Sequence, residues 1–353
     1  MFNLLKSLTS LHGPSGYEQP VSYFIKDYIK ELVDEVTIDS IGNVIATSKG
    51  NKPGPKMIVT AHMDEIGFIV KKIENNGLLR FEKLGGHDDR ILLAQKVKVR
   101  TSSGELLGVI GTMSAHFVKF DDPSKVRKHQ QLYIDIGAKS KEDAISLGVQ
   151  IGSPITWATE LEILGNERTG RIVGKGLDDR AGCAVIISLL EELKNKDFSA
   201  EIVALFTVQE EVGLRGAQVA ARGIDADVAI AIDTTAVSDT PEETMDQTLL
   251  LGGGTGIKII DFSLIAHPAV KDTLVTIAQE KDIRFQYEVF PGIGTDGGAV
   301  SLSNKGIPTG VLSIPSRYAH SPVEVIDLED LHATVQLLTS FVKDLNEEAS
   351  FKF

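Results

Sequence analysis

Four short apolar segments, rich in β-branched residues, stand out along the chain. They lie at residues 57–61 (MIVTA), 202–208 (IVALFTV), 228–232 (VAIAI) and 310–314 (GVLSI), and polar residues follow each of them closely. Because these segments lack the alternation of a half-exposed strand, they predict strands that are buried on both faces. Such strands belong to a sheet with helices on each side.

Helical patterns separate these segments. Residues 181–194 (AGCAVIISLLEELK) end in a basic residue, as helices often do, and residues 269–281 and 328–345 have helical spacing. The first eight residues also space their apolar positions three or four apart, without the basic region and continuous apolar core of a signal peptide. Strands that alternate with helices predict an α/β domain with a largely parallel sheet.

Residues 71–165 follow a different pattern. Glycines at positions 77, 85, 86, 104 and 111 separate short strand-like runs, and a helix-like stretch interrupts them at 139–149. This spacing of turns predicts a small all-β unit inserted into the α/β domain. We therefore expect a main domain formed by residues 1–70 and 166–353, with residues 71–165 as the insertion.

Composition and charge narrow the class of protein. The 353 residues exceed the roughly 250–300 at which single cores stop growing, in agreement with two structural units. Lys and Arg number 36 against 49 Asp and Glu, a formal charge of −13, which argues against a nucleic-acid or membrane-surface partner. No apolar run is long enough to predict a membrane span. The single cysteine, Cys183, excludes internal disulfides and thiolate-rich zinc sites, and we expect a cytoplasmic protein.

Histidines and acids follow the predicted buried strands. Because ligands of open α/β sheets bind at the carboxyl ends of the strands, we expect these side chains to share one edge. A further acid lies in the loop before the helix at residue 181. The residues concerned are His62, Asp64, Asp178, Glu210, Glu211, Asp233 and His320.

This set predicts a metal site. Taken singly, an Asp or His after a strand is more often a helix cap or a loop hydrogen-bonding residue than a ligand. Together, two imidazoles and at least three carboxylates suit zinc, cobalt or manganese, with donors enough for two ions that share a bridging carboxylate. Without cations, such acids would repel one another and take up protons.

Other motifs were considered as evidence for alternative kinds of site. The glycine-rich segment 252–256 precedes a strand-like run and lacks a following Lys-Ser/Thr pair, so a phosphate-binding loop is not indicated. Segment 292–298, which contains Asp296, is interpreted as a loop that lines the site. The chain has no Gly-x-Ser-x-Gly elbow of a serine hydrolase. The neighbouring Glu210 and Glu211 do not suit the flanking carboxylates of a glycosidase.

Several short motifs run in order along nearly the whole chain. At these residues the sequence resembles the co-catalytic metal aminopeptidases, which include glutamyl and deblocking aminopeptidases and the tetrahedral (TET) peptidases, some with an endoglucanase label. It departs from the pattern at Ser114-Ala115-His116, where relatives often have Pro-Pro-His. The matching motifs are Ser15-Gly16-Tyr17-Glu18, Asp39-Ser40-Ile41-Gly42-Asn43, Ala61-His62-Met63-Asp64-Glu65-Ile66-Gly67, Gly174-Lys175-Gly176-Leu177-Asp178-Asp179-Arg180-Ala181-Gly182, Val208-Gln209-Glu210-Glu211-Val212-Gly213, Ile232-Asp233, Thr295-Asp296 and Arg317-Tyr318-Ala319-His320-Ser321.

The resemblance implies a role for each matching residue. Two divalent ions, zinc or cobalt and less readily manganese, would share Asp178 as a bridge. Their other ligands would be His62 and Asp233 at one site and Glu211 and His320 at the other. Glu210 would be the general base and Asp64 would orient His62. Candidate substrate-binding residues are Thr295, Asp296, Arg317 and His116; of these, Arg317, like Lys258, would favour acidic side chains only if it lines the pocket.

The resemblance also implies a fold and an activity. The fold is a peptidase-type α/β domain, a mixed sheet flanked by helices, with an inserted small β-barrel used for dimerisation; the homo-oligomer would be a dimer or a dodecamer. The activity is hydrolysis of the N-terminal peptide bond of short peptides. Two alternatives stay open: a metal-dependent deacylase or dipeptidase, and a non-catalytic scaffold around a structural metal.

Overall fold

Eight α-helices lie along the described residues. The computed structural model describes residues 1–120, 122 and 124–351. Local signals set several helix ends: Pro268 occupies the first turn of one helix, and the Asp327 side chain caps another by accepting from the Glu329 N–H. The helices are α1 (Phe2–Ser10), α2 (Gln19–Ile29), α3 (Lys141–Ser146), α4 (Leu177–Leu193), α5 (Arg215–Ala220), α6 (Pro268–Glu280), α7 (Asp296–Ser301) and α8 (Leu328–Asp344).

The strands divide between a large sheet and a barrel. Numbered in chain order, β4 to β9 form the barrel and the others form the sheet. The strands are β1 (Glu35–Ile38), β2 (Val44–Lys49), β3 (Lys56–His62), β4 (Gly67–Ile73), β5 (Leu79–Leu84), β6 (Lys96–Thr101), β7 (Gly104–Ile110), β8 (Ile134–Asp135), β9 (Pro154–Trp157), β10 (Glu162–Ile163), β11 (Arg171–Gly174), β12 (Glu201–Thr207), β13 (Val228–Ala236), β14 (Thr255–Ile260), β15 (Phe285–Val289), β16 (Thr309–Arg317) and β17 (Glu324–Asp327).

The large sheet is mixed. Its order is β1-β2-β12-β3-β13-β16-β17-β11-β10, with β14 paired to β15 and β16. The four strands predicted from apolar segments, β12, β3, β13 and β16, lie side by side and parallel at its centre. On both sides of these four the sheet continues with antiparallel pairs, so the sheet is less uniformly parallel than the alternation of strands and helices predicts.

Two central strands extend beyond their predicted ends. The strands β13 and β16 stay paired through Asp233↔Ser313 and on to Ala236↔Ser316. The predicted strand ended before the polar Asp233, but the β-branched Thr234 and Thr235 favour its continuation. Asp233 therefore projects from within a strand.

The barrel has a hydrophobic core of its own. Its strands close in the order β4-β5-β8-β7-β6-β9. Phe68, Phe81 and Trp157 pack in its interior, where the ring of Phe68 meets the other two rings edge to face. The short helix α3, capped by Ser140, lies within the predicted helix-like stretch. These features confirm the predicted α/β fold with a mixed sheet and an inserted β-barrel, whereas the division at residues 70 and 166 stays a prediction.

Helices cover both faces of the large sheet. On one face α1, α4, α6 and α8 share a continuous apolar core with the strands, and on the other face α5 and α7 close a smaller core. Within the described ranges, no helix combines the length and apolarity needed to cross a membrane.

A buried ionic cluster joins the α1 end to the start of α4. Glu65 is 2.7 Å from the Lys175 ammonium and 3.0 Å from the Arg180 guanidinium. Arg180 also donates to the carbonyl of Leu8, in α1, at 2.8 Å. Burial alone would raise the pKa of Glu65, but the two cations hold it below its usual value. The cluster fixes the segment that carries Asp178.

We expect Glu65→Gln to lower the free energy of unfolding by about 3–5 kcal/mol, because it leaves two buried cations short of their counter-charge. Urea denaturation of chelator-treated protein measures this loss without a contribution from metal. As a control, Asp27→Asn removes an exposed carboxylate 3.3 Å from Lys30, and we expect a loss below about 0.5 kcal/mol. Equal losses in the two variants would contradict the structural role of the cluster.

Candidate metal centre

The predicted ligands meet at the carboxyl edge of the central strands. His62 is the last residue of β3, and Asp233 projects from β13. Glu211 follows β12 and His320 follows β16. Asp178 comes from the first turn of α4, where its backbone angles are not helical.

Asp178 lies between the two imidazoles. Its Oδ1 is 3.2 Å from His62 Nε2, and its Oδ2 is 3.4 Å from His320 Nε2. One carboxylate oxygen therefore faces each ring. Glu211 Oε2 also lies near the second ring, 3.3 Å from His320 Nε2.

Further carboxylates surround His62. Its Nε2 is 3.7 Å from Asp233 Oδ1 and 3.9 Å from Glu210 Oε2. The ligand atoms of His62, Asp178 and Glu211 lie within 4.8 Å of one another, and so do those of His62, Asp179 and Asp233. Asp179 is an addition to the predicted set. Its Oδ2 accepts the backbone N–H of His62 at 3.3 Å. Because this contact joins distant segments, no local sequence pattern predicts it.

The residues fit a divalent metal. The buried Asp178 Oδ1 and Glu211 Oε1 have no hydrogen-bond partner among the described residues, despite the imidazoles nearby. Unpaired buried carboxylate oxygens are costly, and a cation would satisfy them. Imidazole and carboxylate are donors that zinc, cobalt and manganese accept.

The titration behaviour of the cluster agrees with this fit. Burial raises the pKa of Glu211 to about 8 and that of Asp233 to about 7, although the nearby imidazoles lower both values. Burial would lower the pKa of His320, yet Glu211 and Asp178 raise it to about 10. Without metal, protons thus neutralise part of the negative charge of these carboxylates, a role that bound cations would otherwise take.

The Nδ1 atoms of both imidazoles have partners that fix the orientation of the rings. Nδ1 of His62 lies 3.1 Å from the backbone oxygen of Asp64 and 3.4 Å from its Oδ1. Nδ1 of His320 lies 3.0 Å from the Gly86 carbonyl oxygen. Each ring thereby turns its Nε2 toward Asp178, as second partners of metal-binding histidines do.

Gly86 lies in the loop that follows barrel strand β5, and this loop approaches the site closely. A Cβ at this position would lie 3.1 Å from His320 Nδ1, and one at Gly85 would meet Glu211 side-chain atoms at 3.3 Å. The Gly85-Gly86 pair predicted only a turn. Its second function is to allow the close approach of this loop to two candidate ligands.

Side chains from distant segments hold the backbone around Glu210. Asp64 accepts the N–H of Glu210 at 3.0 Å through one oxygen and that of Glu211 at 3.3 Å through the other. The N–H of Gln209 donates to Glu18 at 3.0 Å. Gln209 has a φ of 55°, a left-handed conformation that is unfavourable without such support. The motif that contains Glu18 matched the family pattern, but nothing local indicated this contact.

Two of the candidate substrate-binding residues are buried. Thr295 is fully buried and donates to Asp261 at 3.2 Å. Asp296 is buried as well and accepts from the hydroxyl of Thr207, at the end of β12. Burial raises the pKa of Asp296 to about 6, and its charge contributes to the raised pKa of Glu210. Asp296 therefore acts on the site electrostatically.

The other candidate substrate-binding residues have different surroundings. Arg317 forms a two-point ion pair with Asp239, at 2.7 and 2.8 Å. Lys258 is buried and lies 2.6 Å from Glu288. His116 is exposed on a 3-10 turn, Ala115–Phe120, between barrel strands β7 and β8. Their part in substrate binding stays a prediction.

Comparison with known proteins agrees with this fold and identifies a family. The family model described as M42 glutamyl aminopeptidase matches residues 42–337. An aminopeptidase from the archaeon Desulfurococcus kamchatkensis is 42% identical, with a TM-score of 0.91 over 97% of this chain and 94% of its own. The lysyl aminopeptidase of Pyrococcus furiosus is 35% identical over 98% of this chain and 97% of its own length.

A third relative is known for its assembly. The TET1 peptidase of Pyrococcus horikoshii, which can assemble into a tetrahedron or a large octahedral shell, is 34% identical. Its TM-score is 0.87, over 97% of this chain and 99% of its own. The family match and the similarity along almost the full length confirm the resemblance seen in the sequence motifs. The chain belongs to the M42 glutamyl aminopeptidase family.

Proposed function

We propose that this protein is a metal-dependent aminopeptidase that removes the first residue of short peptides. Membership of this peptidase family makes the chain a hydrolase of peptide bonds. The observation that carries the metal-dependent mechanism is the placement of Asp178, whose two oxygens face His62 Nε2 and His320 Nε2 at 3.2 and 3.4 Å. A carboxylate in this position suits a bridge between two cations.

The donor set divides into two sites around Asp178. His62 and Asp233 would complete one, and Glu211 and His320 the other. Zinc or cobalt suits these ligands best, with manganese a further candidate. Bound divalent ions would polarise the scissile carbonyl and lower the pKa of the attacking water toward about 7.

Glu210 is the proposed general base. Burial raises the pKa of its carboxyl well above the usual value, and its backbone is held by Asp64. It would take a proton from the attacking water and deliver it to the departing amine. Proton transfer of this kind contributes typically about 10²–10⁴-fold to the rate.

The charge of the site favours substrates with a free amine. A site rich in carboxylates suits a peptide with a free α-ammonium group, which negative charge nearby would stabilise. Both cations named above as candidates for selecting an acidic first residue are paired, Lys258 with Glu288 and Arg317 with Asp239. We therefore infer that neither of them selects for acidic residues.

We further infer a cytoplasmic homo-oligomer, a dimer or a dodecamer, in which the barrel forms the dimer contact. The barrel exposes apolar side chains at Leu107, Val109 and Phe117, which a second copy would cover. The assembly of the TET1 relative supports an oligomer. The single cysteine, Cys183, suits a reducing compartment.

A panel of aminoacyl-anilides, assayed with zinc, cobalt and manganese in turn, tests the proposed activity. We expect hydrolysis that a chelator abolishes and added metal restores. N-acetylated versions of the same compounds are the matched control, and we expect them to be inert. Preferential cleavage of the acetyl group would indicate a deacylase, and the absence of any hydrolysis with all three metals would contradict the proposal in favour of a scaffold.

A further inference from the structure

Glu324 links two candidate ligands through their backbones. It is the first residue of β17 and only 1% exposed. Its Oε1 accepts the N–H of His320 at 3.0 Å, and its Oε2 accepts the N–H of Asp178 at 3.1 Å. One buried side chain thus joins two segments that are far apart in the sequence.

Both backbone positions need an external acceptor. Asp178 lies in the first turn of α4, where N–H groups have no partner within the helix. His320 has a φ of 60°, in the left-handed region that is unfavourable for a residue with a side chain. Tyr318, two residues earlier, has the same φ of 60°. The segment that carries His320 therefore depends on tertiary contacts for its shape.

We propose that Glu324 is a positioning residue of the metal centre, which sets the distance between Asp178 and His320 by accepting one backbone N–H on each carboxylate oxygen. This inference rests on the proposed function, because that distance matters when a cation lies between the two side chains. Glu324 needs no contact with the metal or the peptide. It acts through the two ligands that it holds.

The chemistry requires a carboxylate at this position. An amide of the same shape has one acceptor oxygen, and its NH₂ group would face an N–H donor. Glu324→Gln can therefore satisfy only one of the two N–H groups. The other N–H stays buried without a partner, which displaces either Asp178 or His320.

Asp330 offers a matched control. It is buried too, and its two oxygens accept the N–H groups of Gly254 and Gly252, both at 2.7 Å. Asp330→Asn therefore makes the same chemical change to the same kind of contact, on a loop that carries no candidate ligand. Both variants lose one acceptor, and only one of them disturbs the metal centre.

Zinc titration of the metal-free proteins, in competition with a chromophoric chelator, tests the proposal. We expect Glu324→Gln to bind zinc about 10–100-fold more weakly than wild type, the usual effect of removing a partner behind a metal ligand. We expect Asp330→Asn to retain wild-type affinity. Wild-type affinity in Glu324→Gln, or an equal loss in Asp330→Asn, would overturn the proposal. If Glu324→Gln does not fold, Glu324→Asp, which sets both oxygens back by one methylene, should show weakened binding and decides in its place.

Amide hydrogen exchange separates this inference from the proposed function. If wild-type protein binds no zinc, the metal-dependent function fails. The exchange of the metal-free proteins still tests Glu324. We expect faster exchange in the peptides that contain Asp178 and His320 for Glu324→Gln than for wild type. Unchanged exchange at both would overturn the positioning role.

Discussion

We expect the Glu210→Gln variant to lose about 10²–10⁴-fold in kcat while it binds zinc as tightly as wild type. Glutamine has nearly the shape of glutamate but cannot accept a proton at neutral pH. The backbone N–H of residue 210 would keep its bond to Asp64, 3.0 Å long in the wild type, so the loop should hold its position. Steady-state kinetics on an aminoacyl-anilide, with zinc titration of the same preparation, measure both effects.

The neighbouring residue supplies the contrast. Glu211→Gln makes the identical change one position later, on a side chain 3.3 Å from His320 Nε2 that we assign to the metal. We expect this variant to lose zinc affinity as well as activity. If Glu210→Gln kept near-wild-type turnover, or if it lost metal as Glu211→Gln does, the assignment of Glu210 as general base would be wrong.

The second large effect is expected for Asp178→Asn. This change replaces one carboxylate oxygen with an NH₂ group that cannot bind a cation, so only one imidazole would still face a donor oxygen. Because Asp178 serves both sites, we expect zinc affinity to fall by more than the about 10–100-fold that follows changes behind a ligand. Activity should disappear at zinc concentrations that saturate wild type.

Asp233→Asn distinguishes a bridge from an ordinary ligand. Asp233 Oδ1 is 3.7 Å from His62 Nε2, and we assign it to one site alone. Calorimetric titration should therefore show one weakened site in Asp233→Asn and two in Asp178→Asn. If the two variants gave the same pattern, the bridging position of Asp178 would be refuted.

The parts of the fold that local pattern controls could be predicted from the sequence. The central strands carry unbroken apolar segments because both of their faces are covered, and such segments can be recognised without knowledge of the partner strands. The carboxyl ends of parallel strands share an edge, so His62, Glu211 and His320 could be placed together before the structure was known. The predicted strand ends were less accurate, because a polar residue such as Asp233 can lie within a strand that β-branched residues continue, here Thr234 and Thr235.

The supporting contacts could not be predicted, because they are made between distant segments. Glu18 and Gln209 are 191 residues apart in the chain, and His320 and Gly86 are 234 apart. No periodicity or spacing records such pairs. The ion pair of Arg317 could not be predicted for the same reason, because its partner Asp239 is 78 residues away. Motif resemblance identified Glu18 as part of a pattern without indicating what it holds.

Metal content is the most direct test of the central claim that the chain binds two cations around Asp178. Protein saturated with zinc or cobalt, dialysed and analysed by elemental mass spectrometry, should retain two ions per chain, and Asp178→Asn should retain fewer. Retention of no metal by the wild-type protein, or of the same two ions by Asp178→Asn, would contradict the account.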